Sequence, residues 1–382
     1  MKKKIIYADN AATTPVSPGV LNAMLPYFTE HFGNASGIYS IGREAKKTIE
    51  TSREKIAEAL GCNPKEIFFT CSGTESNNWA IAGVAKHMLS HGKNHIITSK
   101  FEHHAVLNTC HALENEGINV TYIPVGKNGL INPTDIEMAI TEKTSLVSLM
   151  FANNEIGTIQ PVSQTGLICK EHGILFHTDA VQAAGHVDID LNLLNIDLLS
   201  ISGHKLHAPK GIGALYVRMG TELNNLLYGG GQEHGRRPGT ENVPGIVGLG
   251  AAVEQAVKNI QEKNDEITKM RNRLIDGILT IPGSQLNGDR DQRLPGNCNI
   301  SIDGVDSEEL VLFLDLKGIC VSGGSACTSG SSDPSHVITA LGKSCDEALS
   351  AVRFSIDENN TYEEIDYILE VLPDIVKHIR KN

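Results

Sequence analysis

The sequence predicts an α/β chain, with a mostly parallel sheet covered by helices on both faces and a smaller α+β unit after it. Three observations predict this. Between about residues 64 and 218, short runs rich in Val, Ile, Phe and Thr alternate with stretches of helical periodicity. Those runs are apolar throughout, as strands buried on both faces must be. Beyond a glycine-rich break, Tyr228–Gly245, the pattern becomes one long helical stretch followed by isolated short strands.

The runs are EIFFT (66–70), HIITS (95–99), NVTYIPV (119–125), TSLVSLMFAN (144–153), ILFHTDA (174–180), DLLSIS (197–202) and GALYVR (213–218). They predict a seven-stranded sheet. Between the first two, Asn78, Ile81, Ala82, Ala85, Met88 and Leu89 recur at helical spacing and predict a helix within Glu75–His91. After the break YGGGQEHGRRPGTENVPG, a single helical stretch is expected over roughly 246–279. The short strands CNISI (298–302), GICVS (318–322) and AVRFSI (351–356) follow. The expected division is a large unit over 16–257 and a small one made of 1–15 and 258–382.

Composition narrows the function classes. The chain has 382 residues, 40% apolar and 20% charged, which is ordinary globular composition and too long for one small core. The formal charge of −12 and the shortness of the basic clusters argue against non-specific binding of nucleic acid. No apolar run approaches the length of a membrane span, and MKKKIIYADNAATTP lacks the core of a signal peptide. The eight cysteines form no CxxC and match no zinc spacing, so no metal site is expected. Reduced thiols in the cytoplasm are the expectation.

In sheets of this kind ligands collect at the carboxyl ends of the strands. EIFFT leads into TCSGTESNNW, where Gly73 and Thr74 open a helix; they form either a phosphate cradle or a routine cap. HIITS leads into His103 and His104, which read as a surface pair or as one ring over a planar ligand. TSLVSLMFAN ends at Asn154 and Glu155, hydrogen-bonding groups or a plain turn. ILFHTDA places Asp179 in an apolar frame with Gln182 three residues on; a distant Lys or Arg, or a cationic ring nitrogen, would satisfy the carboxylate. DLLSIS leads into Ser202, His204 and Lys205, where a poorly hydrated lysine suits Schiff-base chemistry and a hairpin lysine is the alternative. Lys210, beyond Pro209, is expected to face solvent. Each signal is weak alone. Together they supply an anion cradle, a ring-stacking histidine, an amide, a carboxylate and a lysine, the set that pyridoxal phosphate needs.

The segments YADNAATTP (7–15), FGNASGIYSIGREA (32–45), SGTESNN (72–78), NNEIGTIQP (153–161), HTDAVQAAG (177–185), SGHKLHAPKG (202–211), GRRPGTEN (235–242), SGGSACTSG (322–330) and VRFS (352–355) resemble the signature blocks of cysteine desulfurases. These are pyridoxal-phosphate enzymes of the class-V aminotransferase family with the aspartate-aminotransferase-like fold (fold type I). The resemblance runs in order from Tyr7 to Arg353. It implies that Lys205 binds the cofactor and that Asp179 partners its ring nitrogen. It implies that Gln182 and Asn154 touch the ring hydroxyl side, His103 stacks on the ring, and Gly73, Thr74, Ser202 and His204 hold the phosphate. Thr240 would reach the phosphate of a neighbouring subunit, implying a homodimer. Arg353, with Asn154, would grip the substrate carboxylate, and Cys327 would be the catalytic cysteine.

The activity so implied converts L-cysteine to L-alanine and passes the sulfur, as a persulfide on Cys327, to an acceptor protein. That acceptor is an iron–sulfur scaffold or a thiolation enzyme. A selenocysteine lyase, or a sulfur-delivery scaffold whose main role is docking, is the alternative. The segment VSGGSACTSGSS (321–332) fits a carrier role, because its glycines and small hydroxyl residues leave the backbone around Cys327 free to move.

Overall fold

The computed structural model describes residues 5–323 and 334–381. Cys327 therefore lies outside the described residues. The central sheet has the strands β2 (Ile67–Thr70), β3 (His95–Ser99), β4 (Asn119–Ile123), β5 (Thr144–Ser148), β6 (Leu175–Asp179), β7 (Leu198–Ser202) and β8 (Gly213–Val217), after the short β1 (Ile6–Tyr7). Their spatial order is β2-β8-β7-β6-β5-β3-β4. β7, β6, β5, β3 and β4 run parallel, whereas β8 is antiparallel to both of its neighbours.

Alternation along each strand divides the core in two. Ile67, Phe69, Ile97, Val147, Leu199 and Tyr216 point to one face. There α3 (Ser40–Leu60) and α8 (Val243–Val257) pack on each other, joined by α1 (Pro18–Met24) and α2 (Pro26–Thr29). Phe68, Ile96, Leu146, Leu198 and Leu215 point to the other, under α4 (Gly73–Leu89) and α5 (His104–Glu114). α6 (Pro133–Ala139) and α7 (Val162–Glu171) complete the crossovers. α3 stops at Gly61, whose φ of 66° is the left-handed cap that closes the last carbonyls.

The expected helix over 246–279 is two helices. α8 ends at Val257 and α9 (Ile260–Ile278) starts afresh after Asn259, a left-handed residue at φ 53°. Asparagine tolerates that conformation, so the apolar periodicity continues across a break that it cannot register.

A second core gathers Ile275, Ile300, Leu310, Phe354 and Leu372 with Ile6 and Ala8 from the amino terminus. Its sheet, β12 (Ser322–Gly323), β13 (Ala351–Ser355), β10 (Asn297–Ile302) and β9 (Ser284–Leu286), lies against α9, α10 (Ser307–Leu316) and α13 (Tyr362–Ile379). The stretch expected as one strand over 318–322 is instead β11 (Ile319–Cys320), paired with β1, and β12, paired with β13. Val337 and Ile338 of α11 (His336–Ala340) and Ala348 of α12 (Cys345–Leu349) pack in the first core. The amino-terminal chain joins the two: Asn10 N bonds the Ser355 carbonyl, and Thr14 N bonds the His204 carbonyl.

Candidate active site

A cavity of about 290 Å³ opens at the carboxyl ends of the parallel strands. Gly73, Thr74, His103, Asn154, Asp179, Gln182, Ser202, His204, Lys205 and Arg353 all line it. Residues from both cores thus meet in one space.

Lys205 ends the short turn Gly203–Lys205 after β7, and its Nζ donates to the carbonyls of Ala11 (2.5 Å) and Ala12 (2.7 Å). Asp179 closes β6 and is 6% exposed. Its Oδ2 accepts from Asn77 Nδ2 at 2.6 Å and its Oδ1 from Val181 N at 3.0 Å. Among the described residues it makes no ion pair, so two neutral donors hold a carboxylate turned toward the cavity. Gln182 Nε2 donates to the Ala11 carbonyl at 3.0 Å.

Gly73 and Thr74 form the first turn of α4, capped by Ser72 Oγ on Glu75 N at 3.1 Å. Among the described residues their own amides have no hydrogen-bond partner. A Cβ at Gly73 would lie 2.6 Å from Val181 Cγ2, so only glycine lets the helix start approach this close. Beside it, His204 Nδ1 meets Thr13 Oγ1 at 3.2 Å. Burial, then the charges of Lys205 and Lys210, lower the His204 pKa to about 4, so the ring is neutral.

His103 caps α5 by accepting from Ala105 N on its Nδ1 at 3.1 Å, which leaves its proton on Nε2. His104 turns elsewhere and stacks on His336 with 4.6 Å between ring centroids. Arg353, in the middle of β13, is 1% exposed. Its Nη2 donates to Asp9 Oδ1 (2.8 Å) and its Nη1 to the Asn154 carbonyl (2.9 Å), while Nε has no partner among the described residues. Glu155 takes no part in the cavity lining and accepts from Ser335 Oγ at 2.5 Å. Lys210 is exposed.

Thr240 is apart from these. It is exposed and lines a separate cavity of about 160 Å³ with Cys71, Arg237 and Asn242. Three participants escaped the sequence reading: Asn77 under Asp179, Asp9 on Arg353, and the Ala11 and Ala12 carbonyls on Lys205. Asn77 did leave a signal, as an amide on the buried side of a helix that also carries Trp79 and Ile81. The other two join residues 344 positions apart (Asp9 and Arg353) and 194 and 193 positions apart (Ala11 and Ala12 with Lys205), and leave none.

The donor set fits pyridoxal phosphate. A lysine amine, a buried carboxylate with no cationic partner and helix-start amides with no hydrogen-bond partner among the described residues, and a neutral imidazole are the groups that aldehyde, ring nitrogen and phosphate require. The unpartnered Nε of Arg353 leaves a charged donor for a further anion in the same cavity.

Comparison with known proteins agrees. The family described as Aminotransferase class-V matches residues 6–368. "Cysteine desulfurase IscS" of Methanosarcina thermophila is 54% identical over 379 residues, covering 99% of this chain and 94% of its own length. The protein of the same name from Clostridium botulinum (strain Hall) is 52% identical, covering 99% and 96%. A solved structure described as a NifS-like protein superposes with a TM-score of 0.93 at 39% identity, over 98% of this chain and 100% of that one. Another, described as SspA in complex with cysteine, gives 0.83 at 42% identity over 92% and 99%. The chain belongs to the class-V aminotransferase family and, within it, to the pyridoxal-phosphate-dependent cysteine desulfurases.

Proposed function

We propose that this protein takes sulfur from L-cysteine, releases L-alanine, and carries the sulfur as a persulfide on Cys327 to an acceptor protein. The observation that carries the reading is the convergence of Lys205, Asp179, His103, the Gly73–Thr74 helix start and Arg353 on one cavity.

Bound pyridoxal phosphate supplies an electron sink that makes the Cα proton of an amino acid removable. Asp179 is the chain's partner for a protonated ring nitrogen. The amides of Gly73 and Thr74, the Ser202 hydroxyl and the neutral His204 ring would hold the phosphate, Gln182 and Asn154 would serve the ring hydroxyl side, and His103 would stack on the ring. Arg353, already oriented by Asp9, turns its remaining donors to the substrate carboxylate. Lys205 Nζ would be the base that takes the Cα proton. An unperturbed thiol with a pKa of about 8.5 is only a few per cent thiolate near pH 7, so the site has to activate Cys327, and His103, with its proton on Nε2, is placed to donate a proton along the way. The Cys327 thiolate then attacks the substrate sulfur. A sulfur–sulfur bond forms as the carbon–sulfur bond breaks, the electron pair leaves with the β-carbon, and a proton there completes the methyl group of alanine.

The exposure of Thr240 outside the cavity supports a shared site, in which it reaches the phosphate of a second subunit in a homodimer. The acceptor is an iron–sulfur scaffold or a thiolation enzyme. The large unit spans 16–257, and 1–15 with 258–382 form the unit that carries Cys327. Among the described residues no helix is long and apolar enough to cross a membrane, and the proposed location is the cytoplasm. Mass spectrometry of protein briefly fed ³⁴S-cysteine tests the reading. The Cys327 peptide gains one labelled sulfur atom, and Cys327→Ala stops alanine release while the visible band of the cofactor stays. Undiminished turnover in Cys327→Ala would refute it.

A further inference from the structure

The first turn of α4 carries a charge of the wrong sign for its task. Glu75 is the third residue of the helix, directly after Gly73 and Thr74. A carboxylate there suits the positive end of the helix, but it competes with any anion drawn to the same amides. Its side chain is only 10% exposed, so water screens the charge poorly. One group answers it. Arg237, from the glycine-rich stretch after β8, donates from Nε to Glu75 Oε1 at 2.8 Å and from Nη2 to Oε2 at 3.2 Å. Glu75 Oε2 also accepts from Cys71 N at 2.6 Å. Burial pushes the Glu75 carboxyl up, but the Arg237 and Cys71 bonds outweigh it and hold the group below its ordinary value. It is therefore ionised at neutral pH, and its one ion pair among the described residues is with Arg237.

The segment that delivers Arg237 is fixed a second time. Glu233, 4% exposed in its side chain, pairs with Arg53 through two bonds of 2.8 Å and accepts from Phe69 N at 2.8 Å. One carboxylate thus holds the loop to β2 and one guanidinium holds it to α4, on either side of the turn where the phosphate amides lie.

We propose that Arg237 is a positioning residue for the cofactor: it cancels the Glu75 charge at the start of α4, so that the Gly73 and Thr74 amides stay available to the phosphate. The proposal rests on the cofactor assignment above. It concerns the phosphate alone, and this sets the test. Apoprotein is titrated with pyridoxal phosphate and, separately, with pyridoxal, which forms the same lysine adduct without a phosphate.

Arg237→Ala weakens pyridoxal phosphate about tenfold, as the loss of a partly buried ion-pair partner does, and leaves pyridoxal unchanged. Adding Glu75→Gln, which keeps an oxygen for Cys71 N, brings binding back to within about threefold of the wild type. Equal weakening of both ligands, or no recovery in the double variant, overturns the proposal. If Arg237→Ala does not fold, Glu75→Gln alone reads the same charge. Phosphate-form binding at least as tight as the wild type's supports the proposal, and weaker binding overturns it. Failure of the cofactor assignment looks different, because then the wild type itself forms no lysine adduct with either ligand.

Discussion

Asp179 satisfies its charge with an asparagine amide and a backbone N–H rather than with a cation. A carboxylate so placed stays available to a cationic ring, and Asp179→Asn is expected to keep the fold and a lysine adduct while slowing alanine formation about a hundredfold, read by steady-state kinetics. Glu102 is the opposite case. Complete burial, against bonds from Ser99 Oγ and Met150 N, raises its pKa to about 8 from 4.5. The folded chain therefore keeps a proton that the unfolded chain loses. This contribution to stability is full below about pH 4.5 and disappears as pH rises through about 8. Glu102→Gln mimics the protonated acid, so urea unfolding should show it more stable than the wild type at pH 8 by roughly 4 kcal/mol and little changed at pH 4.5. His204 works in the other direction: unfolding lets it take up a proton between about pH 6.5 and 4, so its share of stability is lost as pH falls through that window. Much of the site was legible because strand ends mark it in the sequence. Lys205, Asp179 and His103 each follow an apolar run. Asp9 was not legible, since its partner Arg353 is 344 positions away and no local pattern links them.

At the scale of elements, the helix start at Gly73 is set by a close approach rather than by capping alone. Gly73→Ala would bring a methyl to 2.6 Å from Val181 and push the first turn of α4 outward. The expected outcome is cofactor affinity reduced about tenfold, measured by titration of the apoprotein, with little loss of stability. Gly61 has a separate role, and its replacement by Ala at φ 66° should cost about 1 kcal/mol by thermal or urea unfolding without touching the site. Most strands were readable because they alternate between two buried faces while staying largely apolar; β4, at the sheet edge, is the exception, with only Ile123 buried. The break at Asn259 was not, because α8 and α9 continue one helical rhythm and the kink depends on a single left-handed residue. The antiparallel direction of β8 was equally silent, since a buried strand reads alike in either direction.

For the whole molecule, exposed apolar side chains cluster in the sequence near the amino end: Leu21, Leu25, Phe28, Phe32, Ile38, Tyr39 and Ile41, with Tyr228 at 89% exposure in the glycine-rich stretch. Such surface is costly to leave in water and fits a homodimer with shared sites. Sedimentation should give twice the chain mass, and Thr240→Ala should loosen the cofactor although Thr240 lies outside the cavity of its own subunit. A monomer with full activity would contradict this. The route of the amino terminus has one more outcome. Ile6 and Tyr7 pair with Ile319 and Cys320, and Ala11 and Ala12 orient a lysine that Thr13 and Thr14 flank through His204. The segment that orients the lysine is therefore held in place by a strand from the far part of the chain. Loosening that pairing would be felt at Lys205 with every side chain of the cavity unchanged.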